Sequence, residues 1–245
     1  MLFTRGTSEW INRVNEKHKQ LVDLGLSAEQ SAKLDRWIES EFVYSTLRLE
    51  GSELERAQLA RILSHTADPV AEIERTATEL LESLRTVTTL ARAKGKAAEL
   101  TGEVLLETHT IRGGGFRTNA GDTSRVPKPV APEHLPALLD TACRWYTAES
   151  FTELNPIEQA SIVLLRLIDL QPFEQSNERT ALVAASLFTL RSELPPIIIK
   201  PEITSSYRNA LDEATRMNTK PMVEAIAEAV ARTLSEMIER ATKQD

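Results

Sequence analysis

Glycine is the residue that most restricts what this chain can fold into. Four of its nine glycines (Gly113, Gly114, Gly115 and Gly121) fall within nine residues, and Pro127, Pro129, Pro132 and Pro136 follow. A stretch so dense in helix breakers cannot be one continuous helix. The span from about Gly113 to Val126 is instead expected to form a short β-hairpin. Almost everywhere else the sequence carries helix starts, apolar residues three and four apart, and helix stops.

Ser8 is placed to cap a helix with Trp10, Ile11, Val14 and Leu21 on one face and Gly25 beyond its end. Ser27 and Gln30 have the spacing of a capping box, opening a helix that carries Leu34, Trp37, Ile38 and Phe42 and stops at Gly51. Ser52 and Glu55 repeat that box. Asp68-Pro69 starts a long helix ending near Gly95, and Thr101 starts a short one reaching His109. Further helices are expected at Glu133–Tyr146, at Pro156–Leu170 with Asn155 as cap, at Glu178–Ser192, at Ser205–Met217 and at Lys220–Ala241. Ile197-Ile198-Ile199 is the one other strand-like run. The pattern predicts an all-α protein: one compact domain with an N-terminal helical extension, divided near residue 95 into 1–95 and 96–245.

Composition narrows the function classes. With 41% hydrophobic and 27% charged residues, the chain has the balance of a soluble globular protein. Its net charge of −7 lacks the basic footprint of a nucleic-acid binder. No apolar run reaches membrane-spanning length and the N-terminus has no signal-peptide core, so a cytoplasmic location is expected. Cys143 is the single cysteine, and His18, His65, His109 and His134 are scattered, so no zinc-ligand spacing exists. His109 reads as a packing residue. The apolar stripe of the last helix reads as core, with pairing to a second copy as its alternative.

One segment stands apart: Gln171-Pro-Phe-Glu-Gln-Ser-Asn-Glu-Arg-Thr-Ala-Leu182 joins two apolar helices through a polar loop that runs into a helix N-terminus. Such a junction offers unpaired N–H groups and a positive dipole end, which suits an anion, although it reads equally well as a plain helix–helix turn. This segment resembles the motif of the Fic (Fido-domain) family, H-P-F-x-[DE]-G-N-G-R-x-x-R. Pro172, Phe173, Asn177, Arg179 and Thr180 fit it. The surroundings are similar as well: Leu154-Asn155-Pro156 before the motif, Gly115-Phe116-Arg117 leading into a flap-like hairpin, and a helix containing Tyr207 after it. Upstream, Thr46-Leu-Arg-Leu-Glu50-Gly51 resembles the family's inhibitory helix.

The resemblance implies a helical domain with a hairpin flap. It also implies transfer of AMP from magnesium-ATP to a hydroxyl of a protein target, and a regulatory role for Thr46, Glu50 and Gly51. This chain departs from the motif at the positions that carry chemistry. Gln171 occupies the place of the histidine base, and an amide does not accept a proton near neutrality, a loss of roughly 10²–10⁴ in rate. Gln175 stands where a carboxylate binds magnesium, and a neutral amide is a poor ligand for that hard cation. Glu174 is adjacent but is expected to leave the loop in another direction.

Ser176 and Glu178 replace the two loop glycines that let backbone N–H groups converge on a phosphate. A carboxylate about 5 Å from a phosphate costs roughly 3 kcal/mol at an effective dielectric near 20. Glu178 also suits a first helical turn without any ligand. Leu182 replaces the second arginine, which would hold the γ-phosphate or pair with the inhibitory glutamate. Glu50 is therefore expected to be solvated, with pairing to Arg179 as the alternative. An arginine such as Arg179 in a first turn is commonly a salt-bridge residue.

These departures predict a degenerate, inactive or regulatory relative with weak nucleotide binding at most. ATP and magnesium are implied by the family and disfavoured by these residues, and no metal site is expected. The partner would be a protein target or regulator, with neither nucleic acid nor membrane involved. The alternatives are a transferase of altered chemistry using Glu174 or Glu178 as base, and a helical interaction module without a ligand.

Overall fold

The computed structural model describes residues 9–64, 71–109, 114–122 and 128–243. Expectations resting on Ser8, His65, Asp68-Pro69, Gly113 and Val126 lie outside these residues. Among them are eleven α-helices and no strand.

Helix α1 (Glu9–Asp23) lies on the C-terminal helix α11 (Lys220–Thr242). Helix α2 (Ala28–Leu49) begins with the expected capping box: Ser27 Oγ accepts the Gln30 N–H, and Gln30 Oε1 accepts the Ser27 N–H. Helix α3 (Arg56–Ser64) starts later than the second predicted box. The Ser52 N–H is taken by Leu47 O in closing α2, and the Glu55 N–H goes to the Gln58 side chain, so no Ser52–Glu55 box forms. Helix α4 (Glu72–Lys94) and the short α5 (Gly102–Glu107, capped by Thr101) precede the glycine-rich segment. Its described part, residues 114–122, is irregular, so the strands expected there are not seen among the described residues.

Helices α6 (Leu135–Trp145) and α7 (Glu149–Thr152) lead to the central antiparallel pair, α8 (Pro156–Leu170) and α9 (Asn177–Leu190). Asn155 closes the start of α8: its Oδ1 accepts the Ile157 N–H, while its own N–H donates to Glu158 Oε2. Helix α9 is buried along most of its length because α4 covers one side of it and α8 the other. The buried Ile197-Ile198-Ile199 run is extended but unpaired as a strand; the Ile197 N–H goes to Ser186 Oγ. Helix α10 (Thr204–Thr215) packs on α11.

The apolar stripe of α11 is core, covered by α1, α8 and α10. One continuous core therefore joins the N-terminal helices to the rest, from Ile11 in α1 to Leu234 in α11. An ion pair on a buried carboxylate fixes α2 within it. The Glu41 carboxylate receives Arg56 through two hydrogen bonds, at 2.5 and 2.9 Å, with Lys200 at 3.6 Å. Burial raises the pKa of Glu41, but these cations outweigh it and hold the group below its ordinary value. No described helix is long and apolar enough to cross a membrane.

Candidate functional site

The loop between α8 and α9 is built on an apolar floor. Phe173 is buried, and its ring stacks on His109 with centroids 3.7 Å apart; the tilted Phe116 ring lies 5.7 Å from it. Asn177 ties the loop shut with two hydrogen bonds to the Phe173 backbone, accepting its N–H (2.9 Å) and donating to its carbonyl (2.8 Å). His109 does more than fill space. Its Nδ1 lies 3.1 Å from the Thr180 hydroxyl, so it links α5 to the first turn of α9. Burial and the nearby Arg179 charge push the His109 pKa down to about 4, so the ring is neutral at physiological pH.

Gln171 ends α8 in the left-handed conformation, at φ 44°. Its side chain turns to the glycine-rich segment: Oε1 accepts the Asp122 N–H at 3.1 Å. Arg117 holds the same segment. Its buried guanidinium donates to the carbonyls of Gln171 (2.6 Å), Asn119 (2.6 Å), Val130 (2.6 Å) and Leu170 (3.3 Å), and its backbone N–H donates to Pro172 O. The cation thereby sits on the negative end of the α8 dipole.

The rim of the loop is charged. Ser176 has φ 58°, so the chain keeps a left-handed residue at this glycine position despite the side chain, whereas Glu178 is not at positive φ. Ser176 Oγ accepts from Arg179 Nη2 at 2.5 Å. Arg179 Nη1 lies 3.5 Å from Glu50 Oε2, and its buried Nε has no hydrogen-bond partner. Glu50 is thus not simply solvated. The pairing with Arg179 is the one formed, because Gly51 (φ 87°) closes α2 so that its end faces the first turn of α9. Thr46 is buried and its carbonyl accepts the Glu50 N–H. Desolvation raises the Glu50 pKa; Arg179 and Arg208 oppose this and Glu178 adds to it.

Glu178 pairs with Arg208 of α10 at 2.6 Å, a partner 30 residues away that no local signal marks. Gln175 and Glu174 are exposed, and Leu182 is buried in the core. Among the described residues no group of three His, Cys, Asp or Glu side chains is placed to hold a metal ion. The structure therefore gathers Gln171, Ser176, Asn177, Glu178, Arg179 and Thr180 around one loop with Glu50 facing it, and leaves Leu182 beneath.

A model of the Fic/DOC family matches residues 96–189, the segment running from the approach to α5 through α9. That matched segment belongs to the Fic/DOC family. It is 25% identical over 244 residues to protein adenylyltransferase Fic of Drosophila ananassae, covering 93% of this chain and 49% of that protein. Against protein adenylyltransferase fic-1 of Caenorhabditis elegans the identity is 28% over 197 residues, covering 76% of this chain and 38% of the other. The chain thus spans about half or less of the curated relatives it matches.

Two solved structures share the Fic fold. A Fic-domain-containing signaling protein from Bacteroides thetaiotaomicron superposes with a TM-score of 0.79 at 21% identity, covering 94% of this chain and 97% of that one. A Fic-1 fragment from C. elegans superposes with a TM-score of 0.81 at 22% identity, covering 98% and 74%. The all-helical architecture is that of the family.

Proposed function

We propose that this protein is a Fic-fold relative of the protein AMP-transferases that no longer transfers nucleotide efficiently and acts through binding or regulation. The observation that carries this reading is Gln171. It stands where the family resemblance places the proton acceptor, and its amide oxygen is committed to the Asp122 N–H. An amide has no proton-accepting state near neutral pH, so general base catalysis from this position is lost.

The neighbouring residues support the same reading. Magnesium would have to be held by the exposed neutral amide of Gln175, and a triphosphate would meet the carboxylate of Glu178. These residues do not fit magnesium-ATP. Glu178 is engaged by Arg208 and Glu174 points to solvent, so neither is set up as a replacement base. Leu182 lies in the core, where the resemblance implies a phosphate-binding arginine. The partner under this reading is a protein target or regulator in the cytoplasm.

The test is self-modification and target modification with labelled ATP and magnesium. Wild type and Gln171→His are expected to be silent. The quadruple variant Gln171→His, Gln175→Asp, Ser176→Gly, Glu178→Gly is expected to give signal, because base, metal ligand and phosphate cradle act as a unit and their effects are non-additive. Wild-type signal equal to that of the revertant would overturn the proposal. Leu182→Arg is added last, since it puts a charge into the core. If that arginine reaches Glu50, release of activity should then require Glu50→Gly.

A further inference from the structure

The end of α2 meets the loop through two arginines, and the two contacts are unequal. Between Glu50 and Arg179 the closest approach is 3.5 Å, too long for a strong hydrogen bond. Arg208 does better on both of its prongs. Its Nη1 donates to Glu178 Oε1 at 2.6 Å, and its Nη2 donates to the Leu49 carbonyl at 3.0 Å. That carbonyl belongs to the last turn of α2, where the helix leaves acceptors unsatisfied and the dipole favours a cation. One guanidinium of α10 therefore bridges the C-terminus of α2 and the first turn of α9, using the planar fork that only arginine has.

We propose that Arg208 is the latch that holds the end of α2 against the loop, and that Glu50 is carried there by this latch rather than forming it. The proposal does not rest on the loss of nucleotide transfer. Glu178 supplies the anionic half of the latch, which accounts for a carboxylate in a loop that would otherwise favour an anion. Arg208 is 40% exposed at its side chain, so dissolved ions reach it and can loosen it. Neutralising Glu50 should leave α2 in place; removing either half of the Arg208–Glu178 pair should free it.

Hydrogen exchange of the end of α2 and its closing turn, residues 46–52, in the 245-residue chain tests this, since local opening is read there independently of global unfolding. Arg208→Met is expected to speed exchange there about tenfold or more, and Glu178→Gln about threefold or more, while Glu50→Gln stays within about twofold of wild type. Raising salt from about 0.05 M to about 0.5 M should speed exchange in wild type but not in Arg208→Met. Arg208→Lys keeps the charge without the fork. It is expected to restore the melting temperature while leaving this turn faster than wild type. Faster exchange in Glu50→Gln than in Arg208→Met would overturn the latch. So would wild-type protection in Arg208→Met, or an increase in Arg208→Lys spread evenly through α2 and α9.

Discussion

The underside and the rim of the α8–α9 loop are a few ångströms apart and obey different rules. The underside is Phe173 stacked on His109, Thr180 bonded to His109, Asn177 clasping the Phe173 backbone, and Leu182 in the core. The rim is Gln175, Ser176, Glu178 and Arg179, with Glu50 and Arg208 brought in from two other helices. Of the residues that fit the family motif, Pro172, Phe173, Asn177 and Thr180 build the underside through side chain or backbone, and Arg179 alone lies on the rim. Most of the departures are on the rim. A packed, hydrogen-bonded floor tolerates little change because its neighbours are fixed, whereas rim residues can be replaced and re-paired with charges from elsewhere. The loop can therefore keep its shape while its chemistry changes.

Breaking the floor should have the largest effect. Phe173→Ala removes a fully buried ring and its stack on His109, and is expected to cost about 3–5 kcal/mol, measured by urea unfolding. Gln175→Ala, an exposed rim change, should stay within about 0.5 kcal/mol of wild type. Equal losses from the two variants would erase the distinction between floor and rim. Asn177→Ala comes next, at about 2–3 kcal/mol, because it leaves the N–H and carbonyl of Phe173 without their partners.

The third test uses pH. The His109 pKa falls from 6.5 to about 4 on folding, so between those values the unfolded chain binds a proton that the folded chain refuses. Stability contributed by neutral His109 is present above pH 6.5 and is lost as pH falls. Between about pH 7 and about pH 5 wild type should lose about 2 kcal/mol through this group. His109→Phe keeps a ring for the stack but cannot titrate, so this part of the slope should vanish. An unchanged slope would show that His109 is not held neutral by the floor.

How far each region could be read from the sequence follows the range of its interactions. The caps at Ser27, Thr101 and Asn155 are made within three residues, and each formed where expected. The Ser52–Glu55 box has the same local signature and fails because closing α2 at Gly51 claims the Ser52 N–H first. The four-residue α7 was invisible, being too short for a periodic signal. At the site, departures from the motif were legible residue by residue, but their new partners were not. Glu50 meets Arg179 and Glu178 meets Arg208 only through the packing of α2, α9 and α10, and nothing local marks either pair. His109 looked like a core residue and is one, but its bond to Thr180 depends on α5 lying beside α9.

The smallest expected effect belongs to Glu50, and its sign separates rim from floor. A carboxylate at a helix C-terminus opposes the dipole, and here desolvation raises its pKa more than Arg179 and Arg208 lower it. A carboxyl whose pKa is raised on folding favours the folded state most when protonated. Its contribution is therefore full below the ordinary value of 4.5 and is lost as pH rises through the folded-state pKa. At neutral pH Glu50→Gln should accordingly stabilise the protein, by about 0.3–1 kcal/mol, although it removes one member of an ion pair. The gain should shrink as pH falls and disappear below about pH 4. Paired urea titrations of wild type and Glu50→Gln across that range give the sign directly. A loss of stability at neutral pH would mean that the Glu50–Arg179 contact outweighs the cost of placing the carboxylate there, and that the rim, like the floor, is held together by its own pairs.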